Sequence, residues 1–170
     1  MQQVKEELSV PLGIHTHNDA DMAVSTALAA VGAGATQVQG TINGYGERCG
    51  NANLISLIAN LKLKMGIDCI SDDQLGQLTN ISKYVAELAN MPHITSQPYV
   101  GTSAFAHKGG LHASAVTKVE QSYQHVSPQT LGNEKRVLVS ELSGRGNILW
   151  KIQELGLDSK ITKSMAVALV

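Results

Sequence analysis

Hydrophobic and polar positions follow two different periods in the first half of the chain. Val4 to Leu8 reads as the tail of a helix, which Pro11 breaks by removing a backbone donor. Val10, Leu12, Ile14 and Thr16 then alternate with Gly13, His15 and His17, the period of two that marks a strand. Asp19 or Asp21 is placed to cap the next helix, an alanine-rich run over residues 22–31 that stops at Gly32 and Gly34. Residues 35–43 form a second strand, with Val38, Gly40 and Ile42 on one face and Gln37, Gln39, Thr41 and Asn43 on the other. A glycine-rich loop over 44–50 leads into a helix over 51–64. Its apolar positions Leu54, Leu57, Ile58, Leu61 and Met65 follow the 3.6-residue period, and Gly66 ends it. Helix, strand, helix, strand, helix with short connections demands parallel strands joined by crossover helices.

The second half reads differently. Asp72 or Asp73 opens a helix carrying Leu75, Leu78, Val85 and Leu88, with Gly76 a weak point inside it. Residues 98–115 are rich in Gly, Ser and Thr and read as a loop with a short helix. Residues 136–141 suit a strand, and 148–155 a helix ended by Gly156. The sequence contains no internal repeat and no low-complexity tract. Two strand–helix units cannot bury both faces of a parallel sheet, and apolar segments run to the ends of the chain. The expectation is therefore a piece of a larger protein, since a complete eight-stranded barrel takes roughly 250 residues.

Composition narrows the partners. Of 170 residues, 43% are hydrophobic and 16% charged, enough to build an ordinary core. Thirteen basic residues against 14 acidic ones give a net charge of −1, without the positive excess that nucleic acids or anionic membranes require. Aromatics are 4%, so packing must rely on Ala, Val, Leu and Ile. Cys49 and Cys69 form no Cys-x-x-Cys pair and no disulfide framework, which fits a reducing compartment. The first ten residues lack the apolar core of a signal peptide. The stretch over 23–35 is too short, and too interrupted by Ser25, Thr26, Gly32 and Gly34, to span a bilayer. A cytoplasmic protein with small-molecule partners is expected.

Three constellations carry chemistry. His15-Thr16-His17-Asn18-Asp19 lies at the C-terminal end of a strand, where residues i and i+2 face the same way. Two such imidazoles suit a divalent cation, or else a hydrogen-bonded pair lining a polar barrel mouth. The loop from Gly44 to Asn53 feeds a helix, yet Gly44-x-Gly46-x-x-x-Gly50 misses the dinucleotide spacing, and Glu47 would repel phosphate. It reads better as delivering Asn51 to the same mouth, as an oxygen ligand or else as a helix N-cap. Thr41, Asn43, Glu47 and Arg48 stand nearby as candidate substrate contacts. Further on, His107-Lys-Gly-Gly-Leu-His112 followed by Tyr123 offers a His–Tyr proton-transfer pair, or solvated loop residues. Arg145, in Ser-Gly-Arg-Gly-Asn, suits a substrate carboxylate or simply water. His93 and His125 read as surface residues, and Cys49 as a small packed one, because no base stands beside it.

The segments GIHTHND, GATQVQGTINGYGERCGNANL, YVGTSAFAHKGGLHASAV and VSELSGRGNI resemble the acyl-CoA-condensing α-keto acid synthases. That family comprises 2-isopropylmalate, homocitrate and citramalate synthases and is related to hydroxymethylglutaryl-CoA lyase; the wording is most like the citramalate branch. The resemblance implies an α/β fold, the C-terminal part of a (β/α)8 TIM barrel with two parallel strands and their helices over 1–70. A small, mostly α linker region over 71–170 follows. It implies His15 and His17 as metal ligands, with Asn51 at or beside a Zn, Mn or Mg ion. His112 and Tyr123 are implied as the catalytic pair, reaching into the barrel of a second protomer of a homodimer. The implied reaction joins acetyl-CoA to an α-keto acid, pyruvate favoured, in isoleucine synthesis. 2-Isopropylmalate synthase of leucine synthesis and homocitrate synthase are the alternatives. A lyase running backwards fits less well, because such lyases end soon after the barrel. The family's metal-binding Asp and neighbouring Arg on the first strand are absent from this sequence, so an inactive fragment is the remaining alternative.

Overall fold

The computed structural model describes residues 1–107, 119, 124–138 and 145–157. Strand β1 (Gly13–His15) pairs in parallel with β2 (Gln37–Gln39), in the register Gly13↔Gln37, Ile14↔Val38 and His15↔Gln39. Helix α1 (Gln2–Glu7) precedes them, and α2 (Ala23–Gly32) is the crossover between them. The expected parallel pair is present, in a mixed α/β fold. Both strands are shorter than the alternation predicted. The β1 backbone after His15 leaves β2 and pairs instead with the segment after the glycine loop: Ala52 N–H donates to Thr16 C=O, and Asn18 N–H to Gly50 C=O. In β2 the alternation ends where Ile42–Gly44 turns as a 3-10 helix, with Asn43 at φ 62°.

Capping differs from the sequence reading in three places. Neither Asp19 nor Asp21 caps α2; the Asn18 side-chain oxygen accepts from Ala23 N–H at 3.1 Å. Helix α3 (Leu54–Leu63) starts three residues later than expected, because Asn53 caps it by accepting from Ile55 N–H. The next predicted helix divides at Gly76 into α4 (Asp72–Leu75) and α5 (Leu78–Leu88). Its start is fixed by Ser71, whose reciprocal bonds with Gln74 form a capping box.

Helix α3 is the wall between two cores. Leu57 and Ala52 pack with Ala23 and Ala27 of α2 beneath Ile14 and Val38 of the sheet. Ile55 and Ala59, on the other side of α3, pack with Leu75, Leu78, Val100, Phe105 and Leu131. A helix apolar on both flanks has to be buried on both, which ties the second half of the chain to the sheet unit.

The second half also holds a strand pair that its composition concealed. Strand β3 (Ala106–His107) runs parallel to β4 (Arg136–Val137). The former lies in a stretch expected to be a loop and short helix; at two residues it offers no alternation to read. Strand β4 lies at the start of the predicted 136–141 strand, of which residues 139–141 lie outside the described residues. Helix α6 (Arg145–Glu154) begins earlier than expected and ends before Gly156, which adopts φ 64°.

Candidate metal centre

The period of two divides the β1–β2 sheet by function. Ile14 and Val38 turn to the helices, while His15, Gln37 and Gln39 lie on the opposite, exposed face around a recess of about 260 Å³. His15 and His17 project from the same side, and their rings meet edge to face with centroids 5.2 Å apart. The two imidazoles are together, as the spacing required.

Asn51 joins them through the backbone. His17 and Asn51 are paired in an isolated antiparallel bridge. The bonds lie on the flanking residues, Asn18 to Gly50 and Ala52 to Thr16. His17 and Asn51 are therefore a non-hydrogen-bonded pair, the closer kind, with side chains on one face. The Asn51 amide nitrogen donates to Tyr45 C=O at 3.2 Å, whereas its Oδ1 is buried and, among the described residues, accepts no hydrogen bond. The N-cap alternative for Asn51 falls away, since Asn53 holds that position.

The glycines make this placement possible. Asn51 N–H donates to Gly44 C=O at 2.9 Å, folding the loop back on itself. A Cβ on Gly46 would lie 2.4 Å from Asn51 Nδ2, and one on Gly50 would lie 2.1 Å from Gly44 O. The glycine pattern that failed as a phosphate loop is a cradle for one carboxamide.

The remaining loop residues hold the frame. Arg48 makes a bidentate ion pair with Asp19, Nε to Oδ1 and Nη2 to Oδ2 both at 3.0 Å, joining the two loops across the site. The hydrogen-bonded guanidinium holds the Asp19 carboxyl below its ordinary value and is itself raised. Glu47 is exposed beside it. Thr41 Oγ1 donates to Tyr45 C=O at 2.5 Å. The Asn43 carboxamide bonds to Ser82, Gln97 and Tyr45, which links the loop to α5. Nothing in the sequence signalled Ser82 and Gln97 as partners, which lie 39 and 54 residues away from Asn43.

Other expectations change. Cys49 is exposed rather than packed. His93 is half-buried, its Nε2 2.8 Å from Ser82 Oγ, and burial with Lys83 nearby lowers its pKa. His125 is exposed, yet its ring stacks on Phe105 and lies against Tyr99; burial and Lys64 lower its pKa. Tyr99 and His125 line a cleft of about 590 Å³ that also reaches Asn43, Asn51 and Asn53. His112 and Tyr123 lie outside the described residues. Arg145 opens α6, and its side chain is likewise outside them.

The donor set fits part of a divalent-cation site. Two imidazoles and an amide oxygen suit Zn, Mn or Mg, and a buried oxygen with no donor carries a desolvation cost that a ligated ion would remove. Among the described residues no three His, Cys, Asp or Glu side chains converge, so a carboxylate ligand would have to come from elsewhere. Among the same residues no helix is long and apolar enough to cross a membrane.

Residues 1–85 match the HMGL-like family, and residues 99–168 match the homocitrate synthase post-HMGL domain-like family. Three curated proteins similar to the chain are named (R)-citramalate synthase. That of Geobacter sulfurreducens is 56% identical over 162 residues, covering 94% of this chain and 31% of that protein. Those of Synechocystis sp. and Aquifex aeolicus are 53% and 52% identical, covering 86% and 92% of this chain and 27% and 30% of theirs. The chain spans under a third of the length of these relatives.

Proposed function

The chain belongs to the HMGL-like TIM-barrel family, and on that premise we propose that it is the cation-holding part of a synthase that condenses acetyl-CoA with an α-keto acid. Pyruvate, giving citramalate, is the favoured keto acid, on the strength of the 52–56% identity to proteins bearing that name. The observation that carries the reading is the pairing of His17 with Asn51, whose Oδ1 is buried without a donor beside the His15 and His17 rings.

In this reading His15 and His17 offer ring nitrogens, and Asn51 its side-chain oxygen, to a divalent cation. Such an ion, when bound, supplies Lewis-acid polarisation of the keto acid's carbonyl. The chain's residues supply the rest. The Gly44–Gly50 loop fixes the amide so that its oxygen is available, and Arg48 with Asp19 closes the two loops against each other. Thr41 and Arg145 are assigned to polar contacts with the substrate. His112 moves the proton from the acetyl-CoA methyl group, with Tyr123 orienting its ring, and hydrolysis of the thioester makes the condensation irreversible. His112 and Tyr123 act across a homodimer, and the setting is branched-chain amino-acid synthesis.

The test is CoA release by the complete synthase that carries this chain, with pyruvate and 2-oxoisovalerate supplied separately. Turnover with pyruvate that is lost in His15→Ala supports the assignment. Preference for 2-oxoisovalerate would make it a 2-isopropylmalate synthase instead, and unchanged turnover in His15→Ala would remove the ligand role. The 170 residues alone are expected to form no citramalate, because among the described residues no carboxylate joins the two imidazoles.

A further inference from the structure

Asn43 begins the loop that ends at Asn51, in a left-handed conformation with φ 62°. Its carboxamide is fully engaged. Oδ1 accepts from Ser82 Oγ–H at 2.5 Å and from Gln97 Nε2–H at 3.0 Å, and Nδ2 donates to Ser82 C=O at 2.8 Å and to Tyr45 Oη at 3.4 Å. Ser82 is 0% and Gln97 4% exposed, so these bonds are shielded from competing water. Ser82 has one hydroxyl proton, which goes to Asn43; His93 Nε2, 2.8 Å away, is therefore the donor in their contact. The network runs His93, Ser82, Asn43, Tyr45.

Tyr45 is where that network meets the metal-site residues. Its hydroxyl is held by Asn43, while its carbonyl accepts from Thr41 Oγ1–H and from Asn51 Nδ2–H. A carboxamide can present either end. With its nitrogen tied to a fixed carbonyl, Asn51 keeps its oxygen free; with that carbonyl loose, the amide can turn and offer N–H groups, which cannot ligate a cation. We propose that Asn43 is a positioning residue for the cation site: by fastening Tyr45 and its loop to α5, it keeps the nitrogen of Asn51 occupied and its oxygen available. The inference rests on the cation reading above.

The experiment is a Co2+ titration of the metal-stripped complete synthase that carries this chain, followed by visible absorption, with thermal unfolding recorded for every variant. Asn43→Gly deletes the carboxamide while tolerating the positive φ, and Asn51→Ala deletes the oxygen. Asn51→Ala is expected to weaken Co2+ binding on the order of tenfold, the scale of lost supporting groups in metal sites. Asn43→Gly should approach the same loss and move the Co2+ absorption bands toward those of Asn51→Ala. The double variant should bind no more weakly than Asn51→Ala alone, because the first residue acts through the second. Wild-type affinity in Asn43→Gly, or losses that simply add, overturns the proposal while leaving the cation site standing. Co2+ affinity unchanged in both His15→Ala and His17→Ala overturns the cation reading, and this inference with it. Ser82→Ala, which removes only a hydroxyl, repeats the test should Asn43→Gly leave too little folded protein.

Discussion

Two glycines in left-handed conformations separate the cost of backbone strain from the cost of a close crossing. Gly66 has φ 67° and open space within 4 Å of where a Cβ would stand; Gly50 has φ 88° and a Cβ position 2.1 Å from Gly44 O. The left-handed backbone costs an L-residue about 1–2 kcal/mol, partly offset by the stiffer unfolded chain, so Gly66→Ala should lose about 1 kcal/mol. Gly50→Ala carries the same strain and must also push the Gly44 carbonyl aside. That movement breaks the Asn51 N–H to Gly44 C=O bond and disturbs the Asn18 N–H to Gly50 C=O bond, at 2.9 and 2.8 Å. With about 1 kcal/mol for the strain, about 1 for each bond and about 1–3 for the overlap, the expected loss is roughly 4–6 kcal/mol. Urea unfolding by far-ultraviolet circular dichroism reads the difference. At a slope near 2 kcal/mol/M, Gly66→Ala should lower the midpoint by about 0.5 M and Gly50→Ala by about 2.5 M. Equal midpoints would refute the close crossing, and with it the account of how Asn51 is held.

Three further outcomes are expected. Leu57→Ala, at a fully buried position between α3 and the sheet, should cost about 2–5 kcal/mol in the same urea assay. Ser71→Ala should lose about 1 kcal/mol, read as a lower thermal midpoint, because it removes the capping box that starts α4. Arg48→Gln should raise the Asp19 carboxyl pKa toward 3.8, measured by carbon-13 NMR titration. Since that pKa is depressed in the folded state, the stability Asp19 contributes is present above 3.8 and is lost as pH falls through the depressed value. The difference between wild type and Arg48→Gln should therefore vanish in acid.

What the sequence revealed, and what it did not, follows from the range of each interaction. Strand alternation around Ile14 and Val38 and the i, i+2 placement of His15 and His17 are local, and both hold in the structure. The helix starts depend on which of several polar residues reaches a free N–H. Asn18, Asn53 and Ser71 do so, where Asp19, Asn51 and Asp72 were equally plausible on the page. The β3–β4 pair depends on two residues meeting two others 30 positions apart, and although 136–141 reads as a strand, its partner at 106–107 has no local pattern to read. Asn43, the last residue of the predicted 35–43 strand, stands there as a candidate substrate contact; its amide bonds to Ser82 and Gln97 appear only in the folded chain.

The same distinction of range identifies the group on which the site is built. The His15 and His17 side chains are exposed, and β1 and its continuation determine which way they point. Asn51 is held differently: its nitrogen is bound, its backbone N–H closes the loop, and Gly46 leaves room for its side chain. Between Asn43 and Gly50 four residues adopt positive φ, and two of them, Asn43 and Arg48, are not glycine. Such conformations cost about 1–3 kcal/mol each and persist where their surroundings over-determine them. Here the surroundings are the Ser82 and Gln97 bonds at one end of the loop and the Asp19 ion pair at the other. Strain held in this loop by bonds at both of its ends makes the carboxamide oxygen the fixed point. In the proposed cation site, the imidazoles turn about their side-chain torsions to meet that oxygen. On that reasoning the order in the site comes from the second strand's loop, although the His-x-His motif on the first strand is the part a sequence reader sees first.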